Sequence, residues 1–257
     1  MKKTLSITDP WFDLKQHTSA RIALGRAGGS LTTAEWLNFK LAHARARDAV
    51  QCEFDCHGLI KQLQQLGGKV LLVQSLVKNR AQYLQRPDLG RRLNSESRSI
   101  LEDKKQSSDL VFIVSDGLSA TAVHAHATNL LKLLLPKLYK SSCSIAPLVV
   151  ARFGRVALQD EIGAFLGAKI AVILIGERPG LSSPDSLGAY LVHHPQSGNT
   201  DANRNCVSNI RPLGLDYEKA ADTIFYLLTQ ARQRKLSGVK LKDDRQLLNA
   251  GEKPDVE

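Results

Sequence analysis

A chain of 257 residues with 43% hydrophobic content can bury a sizeable core, as one large domain or two small ones. No apolar run reaches the ~18–20 residues of a membrane span, and Asp9 and Pro10 follow Met1-Lys2-Lys3 before a signal-peptide core can form, so secretion is not expected. A net charge of +10, from 35 basic and 25 acidic residues, points to a polyanion, a phosphate-bearing ligand or an acidic partner subunit; aromatics at 5% argue against nucleic acid.

The positive charge is uneven: residues 15–47 hold Lys15, Arg21, Arg26, Lys40, Arg45 and Arg47 against Glu35 alone. Cys52, Cys56, Cys143 and Cys206 lack the spacing of a disulfide framework and read as reduced thiols of a cytoplasmic protein.

Residues 1–31 read as an irregular arm ending in the turn-prone Gly25-Arg26-Ala27-Gly28-Gly29. Thr33 can N-cap a helix to about Val50, with Leu37, Leu41 and Ala44 on one face. Residues 55–66 continue helically and stop at Gly67-Gly68. Lys69–Val73 is a short strand, Arg80–Leu84 a helix broken by Pro87 and Gly90, and a second helix follows to about Lys105. Strands and helices then alternate: Leu110–Val114, residues 120–139, Pro147–Arg152, residues 158–166 and Lys169–Ile175. Leu187–His193 alternates in polarity and reads as an edge strand. Asp216 caps a last amphipathic helix through about Lys235, and the polar tail after Gly238 reads as loose.

The expected fold is α/β, a mostly parallel, Rossmann-like sheet flanked by helices, with a helical N-terminal part. The expected divisions are 1–68 for the arm and helical part, 69–240 for the α/β domain and 241–257 for the tail.

The unbroken apolar run Lys169–Ile175 suits a strand covered on both faces. It enters the Gly- and Pro-laced loop Gly176-Glu177-Arg178-Pro179-Gly180, placing Glu177 and Arg178 where α/β sheets bind ligands. Ser115-Asp116-Gly117-Leu118-Ser119 forms a second strand-to-helix turn; Asp116 either belongs to an acceptor-binding site there or caps the helix. Cys206 is either a packing thiol or a nucleophile served by His193 or His194. Cys52, Cys56 and His57 have no second cluster to complete a metal site. No glycine-rich dinucleotide fingerprint, P-loop or nucleophile elbow is present, which favours a binding or partner subunit. The rival readings are a stand-alone α/β enzyme using Cys206 and a basic nucleic-acid binder.

Several blocks, in order, resemble the small (light) subunit family of ethanolamine ammonia-lyase: Ala20-Arg21 with Gly25-Arg26-Ala27-Gly28, Tyr83–Leu93, Ser115–Ser119, Gly154-Arg155-Val156, Asp160–Gly163, Gly176–Leu181 and Cys206–Ile210. The likeness spans about residues 18–240. It implies an adenosylcobalamin-dependent carbon–nitrogen lyase that turns ethanolamine into acetaldehyde and ammonia. A large TIM-barrel subunit carries the substrate site, and the small subunit closes over cobalamin at their interface. By the resemblance, Val156, Glu177 and Cys206 contact cobalamin, with no catalytic or metal-ligating residue on this chain. The family keeps dimethylbenzimidazole on cobalt, which agrees with Ile60 standing where the histidine-ligating D-x-H-x-x-G motif needs glycine after Asp55-Cys56-His57. It further implies a hetero-oligomer in the cytoplasm, inside a bacterial microcompartment where the host builds one, with no membrane or nucleic-acid partner.

Overall fold

Apolar runs alternate with amphipathic helices through most of the chain, and they stack as helix, sheet and helix layers in the computed structural model, which describes residues 9–18 and 20–245. The helices are α1 (Thr33–Gln51), α2 (Cys56–Gln64), α3 (Arg80–Gln85), α4 (Ser95–Glu102), α5 (Ala120–Lys140), α6 (Leu158–Leu166) and α7 (Tyr217–Arg234). The strands are β1 (Val70–Gln74), β2 (Ser108–Ser115), β3 (Leu148–Arg152), β4 (Ala168–Gly176), β5 (Leu187–His193) and β6 (Arg204–Ile210), ordered β1-β3-β2-β4-β5-β6 in one sheet.

One sheet face, through Leu110, Phe112, Ile170 and Val172, packs against α2, α5 and α7. The other, through Val111, Ile113, Val149 and Ile173, packs against α4 and α6. Two covered faces explain why β2 and β4 lack polar alternation, since every residue of β2 and all but Lys169 in β4 are buried. Burying each such Val, Leu, Ile or Phe contributes about 1.5–3 kcal/mol.

The expectation of a mostly parallel sheet is corrected. β1, β3, β2 and β4 pair in parallel, but β4–β5 and β5–β6 are antiparallel, so the sheet is mixed. The physical reason is connection length: residues 177–186 join β4 to β5 and residues 194–203 join β5 to β6. Ten residues with no more than the 3-10 turn Asp201–Asn203 do not carry the chain back across the sheet, whereas a parallel return needs a crossover of roughly a dozen or more. β5 is therefore interior, and the edge belongs to β6, whose exposed polar positions blunt it.

Two caps also differ from expectation. The Thr32 side chain accepts from the Glu35 amide at the start of α1, and Ser119 rather than Asp116 caps α5 by accepting from the Ala122 amide. Leu37 and Leu41 share a face of α1, but that face is turned to solvent. Within the expected tail Leu241 is buried and Arg245 donates to Thr223 at 2.8 Å, while residues 246–257, like residues 1–8, lie outside the described residues. No helix among the described residues is long and apolar enough to cross a membrane. The parallel strands all end at one rim, where the turns after β2, β3 and β4 converge.

Candidate functional site

Val156 is delivered by a tightly held turn between β3 and α6. Phe153 adopts a left-handed conformation (φ 56°), costly for an aromatic residue. It is fixed from both sides: its amide donates to Asp116 Oδ1 at 2.8 Å and its carbonyl accepts from Ser75 Oγ at 2.8 Å. The Gly154 amide donates to Ser115 Oγ at 3.0 Å and its carbonyl accepts from the Tyr83 hydroxyl at 3.0 Å; a side chain at 154 would strike Ser115 and Leu158. The turn leaves Arg155 stacked over the Tyr83 ring at 4.0 Å, with Nη2 donating to the Tyr83 carbonyl at 2.8 Å.

Facing this turn are β5 and β6, where Tyr190 stands directly opposite Cys206 in the ladder. Arg155, Val156, Tyr190, Asn199, Arg204 and Cys206 line a cleft of about 740 Å³, with Pro87 and Arg91 at its edge. The structure therefore brings Val156 and Cys206 into one cleft, although 50 positions separate them (206 − 156).

Glu177 stands just beyond β4 and borders this cleft without lining it. Its carboxylate accepts from the Ser186 hydroxyl and, at 3.2 Å, from the Asn209 amide three residues beyond Cys206. It lies over Gly188, where any side chain would collide with it. The loop from Glu177 to Ser186 is closed at its base by the Glu177 amide donating to the Ser186 carbonyl at 2.9 Å. It is pinned further by Ser119 Oγ donating to the Pro184 carbonyl at 2.9 Å, and by buried His126 between Tyr217 and Asp185.

The electrostatics speak against a cysteine nucleophile. Local burial pushes the Cys206 thiol above its ordinary pKa; the facing Tyr190 hydroxyl opposes the rise and the Glu177 charge adds to it. Burial likewise raises the Tyr190 phenol. Tyr190, rather than His193 or His194, is the side chain set against the thiol, so Cys206 stays protonated at neutral pH. Asp160, raised mainly by burial, is paired with Arg204 and accepts from Asn199 at 3.1 Å. Arg155 Nε and Arg204 Nε, of two residues that line the cleft, are buried without partners, as are both amide atoms of Gln159 in α6.

Asp116 faces a second cleft at the same rim, about 370 Å³, with Lys78, Arg80 and Arg152. Its carboxylate accepts from the Phe153 amide and from Ser115 Oγ and lies 3.6 Å from Arg80, so it ties loops together. Tyr190 and Arg204 escape a sequence reading because only the folded sheet brings them to Val156, whereas Arg155 is already part of the Gly154-Arg155-Val156 block. Arg204–Ile210, the strand that brings Arg204 there, shows no polar alternation, since its buried apolar positions are Val207 and Ile210 alone.

Residues 8–242 match the family model described as ethanolamine ammonia-lyase light chain (EutC). The chain is 51% identical over 243 residues to the ethanolamine ammonia-lyase small subunit of Pseudomonas fluorescens (strain SBW25), covering 93% of this chain and 88% of that protein. It is 52% identical over 240 residues to the protein of the same name in Azotobacter vinelandii (strain DJ), covering 92% and 89%. A third, from Pseudomonas putida (strain ATCC 47054), is 50% identical over 246 residues, covering 94% and 90%. By this match over most of its length, the chain belongs to the ethanolamine ammonia-lyase light chain family.

Proposed function

We propose that this lyase small subunit forms one wall of an adenosylcobalamin site completed by the large subunit, in an enzyme that converts ethanolamine to acetaldehyde and ammonia. The observation that carries the reading is the shared cleft of Val156 and Cys206, with the Glu177 carboxylate at its border. The residues fit the group. Corrin amides and a nucleotide phosphate need both donors and acceptors, and the cleft is lined by the donors Arg91 and Arg155, the acceptor Asp201, and Tyr190, Asn199 and Thr200, which can do both. Glu177 would accept from a corrin amide, Cys206 would pack against the nucleotide end, and Val156 would offer backbone and apolar contact. When bound, the cofactor supplies homolysis of its cobalt–carbon bond; this chain binds and orients it. The four free thiols support a cytoplasmic location, or a microcompartment where the host assembles one.

Two outcomes test the reading. In equilibrium dialysis with adenosylcobalamin, the mixture of both subunits is expected to bind stoichiometrically and the isolated chain only weakly, because an open cleft buries little of so large a ligand. Tight binding by the isolated chain, or none by the mixture, would contradict it. Glu177→Ala in the complex is expected to weaken cobalamin binding by about 1–3 kcal/mol, roughly 5- to 150-fold, since it removes the acceptor from a partly buried contact. An unchanged dissociation constant would take Glu177 out of the site.

A further inference from the structure

Both tryptophans of the chain, Trp11 and Trp36, are exposed, at 66% and 47%. Tryptophan is highly buried on average, so two exposed in one region call for a cause. Leu37 at 59% and Leu41 at 51% lie on the same helix as Trp36, and Phe12 is next to Trp11. Half of the large exposed apolar side chains among the described residues fall between Trp11 and Leu41.

α1 runs for 19 residues and buries only Ala49. Helices in proteins owe most of their stability to packing an apolar face, and α1 has little such packing within this chain. The segment around Trp11 lies alongside it, joined by the Lys15–Glu35 ion pair at 3.5 Å. Cations cover the exposed rings of Phe12 and Trp36, through Lys15 and Lys40, and Arg21 covers the half-buried ring of Phe39. The surface is therefore an apolar stripe rimmed by positive charge.

We propose that the outer face of α1, with the Trp11–Leu14 segment beside it, is the docking surface for the enzyme's large subunit, which meets it with an apolar groove and an acidic rim. The inference rests on the reading that this chain pairs with that subunit. A second copy of this chain is a poor occupant, because it would set Arg21, Lys40 and Arg45 against the same cations. Position agrees with a heterologous partner: Arg21, Asn38, Leu41 and Arg45 of this region share a cleft of about 400 Å³ with Leu181 and Pro184. Those two belong to the loop that starts at Glu177, so a partner seated on α1 reaches the border of the cofactor cleft. Buried tryptophan and leucine at the centre of such a patch dominate binding, and the basic rim speeds encounter.

The test uses the full chain labelled with 5-fluorotryptophan, together with the large subunit. The two fluorine resonances, from Trp11 and Trp36, are expected to shift or broaden when the large subunit is added. Leu37→Glu/Leu41→Glu is expected to weaken association at least 100-fold at unchanged melting temperature, while Leu37→Met/Leu41→Met retains it. Normal association of the Glu variant, with unmoved fluorine resonances, would overturn this surface and leave the cofactor reading standing. Failure of the wild-type chain to associate at all would overturn both. A Glu variant whose self-association changes while its affinity for the large subunit does not would make a second copy the occupant, against the proposal.

Discussion

Arg204→Ala is expected to lower the unfolding free energy by about 3–5 kcal/mol at neutral pH, the cost of leaving a buried charge without its partner. Arg204 and Asp160 are both buried, and Arg204 also lies 3.4 Å from Asp201. The Asp160 carboxyl already sits above its ordinary pKa because burial outweighs the help of Asn199 and Arg204. Without the guanidinium only Asn199 remains, and the pKa rises further. A carboxyl raised in the folded state leaves stability complete below its unfolded value, near 3.9, and drains it as pH climbs through the folded value. The deficit of Arg204→Ala is therefore largest at pH 7.5 and shrinks toward pH 4. Urea unfolding at both ends of that range measures it. Arg204→Met combined with Asp160→Asn is expected to recover most of the loss, since neutral replacements remove both desolvation penalties. A deficit under about 1 kcal/mol, the range of an exposed ion pair, or one equal at both pH values would show that the pair is effectively solvated.

That pair also shows where sequence reading stops. β2 and β4 are legible because helices cover both their faces and leave unbroken apolar runs, and α6 is legible at Leu158–Leu166 from its 3.6-residue period. β6 is not, because Arg204, Asn205, Cys206 and Ser208 face solvent or the cleft and mimic a polar loop. With β6 hidden, β5 reads as an edge and the antiparallel half of the sheet disappears, although the two ten-residue connections are short enough to have signalled hairpins. In Ser115–Ser119 both Asp116 and Ser119 are capping residue types, and only their folded partners separate them: Ser119 accepts from the Ala122 amide, whereas Asp116 turns to Phe153 and Arg80. Val156, Glu177 and Cys206 come from block resemblance, as no periodicity singles them out. Their neighbours Tyr190 and Arg204 come from tertiary structure alone. A cleft assembled from the β3–α6 turn, the β5–β6 hairpin and the Pro87–Arg91 segment has no local pattern to read.

Asp116→Asn is expected to gain on the wild-type chain by as much as about 3 kcal/mol in unfolding free energy as pH rises from 4 to 7. Asp116 is nearly inaccessible, and burial pushes its carboxyl up to about 6 against the opposing influence of Arg80 and of the Phe153 and Ser115 donors. The folded state thus holds this proton more tightly than the unfolded chain does. Its contribution is complete below about pH 4 and falls away as pH passes through about 6. Asparagine does not titrate, and it keeps an oxygen for the Phe153 amide. Arg80 stays anchored through the carbonyls of Val50, Gly117 and Leu118 at 2.7, 2.7 and 3.1 Å, so the fold survives the change. Urea unfolding of both proteins across pH 4–8 checks it; curves that remain parallel would remove Asp116 as the source. The stability lost at neutral pH has a structural counterpart. The Asp116 carboxylate holds Phe153 in its left-handed conformation, and that turn aims Arg155 and Val156 into the cleft. The Asp116 oxygen thus fixes a strained turn while its charge costs stability at neutral pH, and asparagine is expected to keep the turn without that cost.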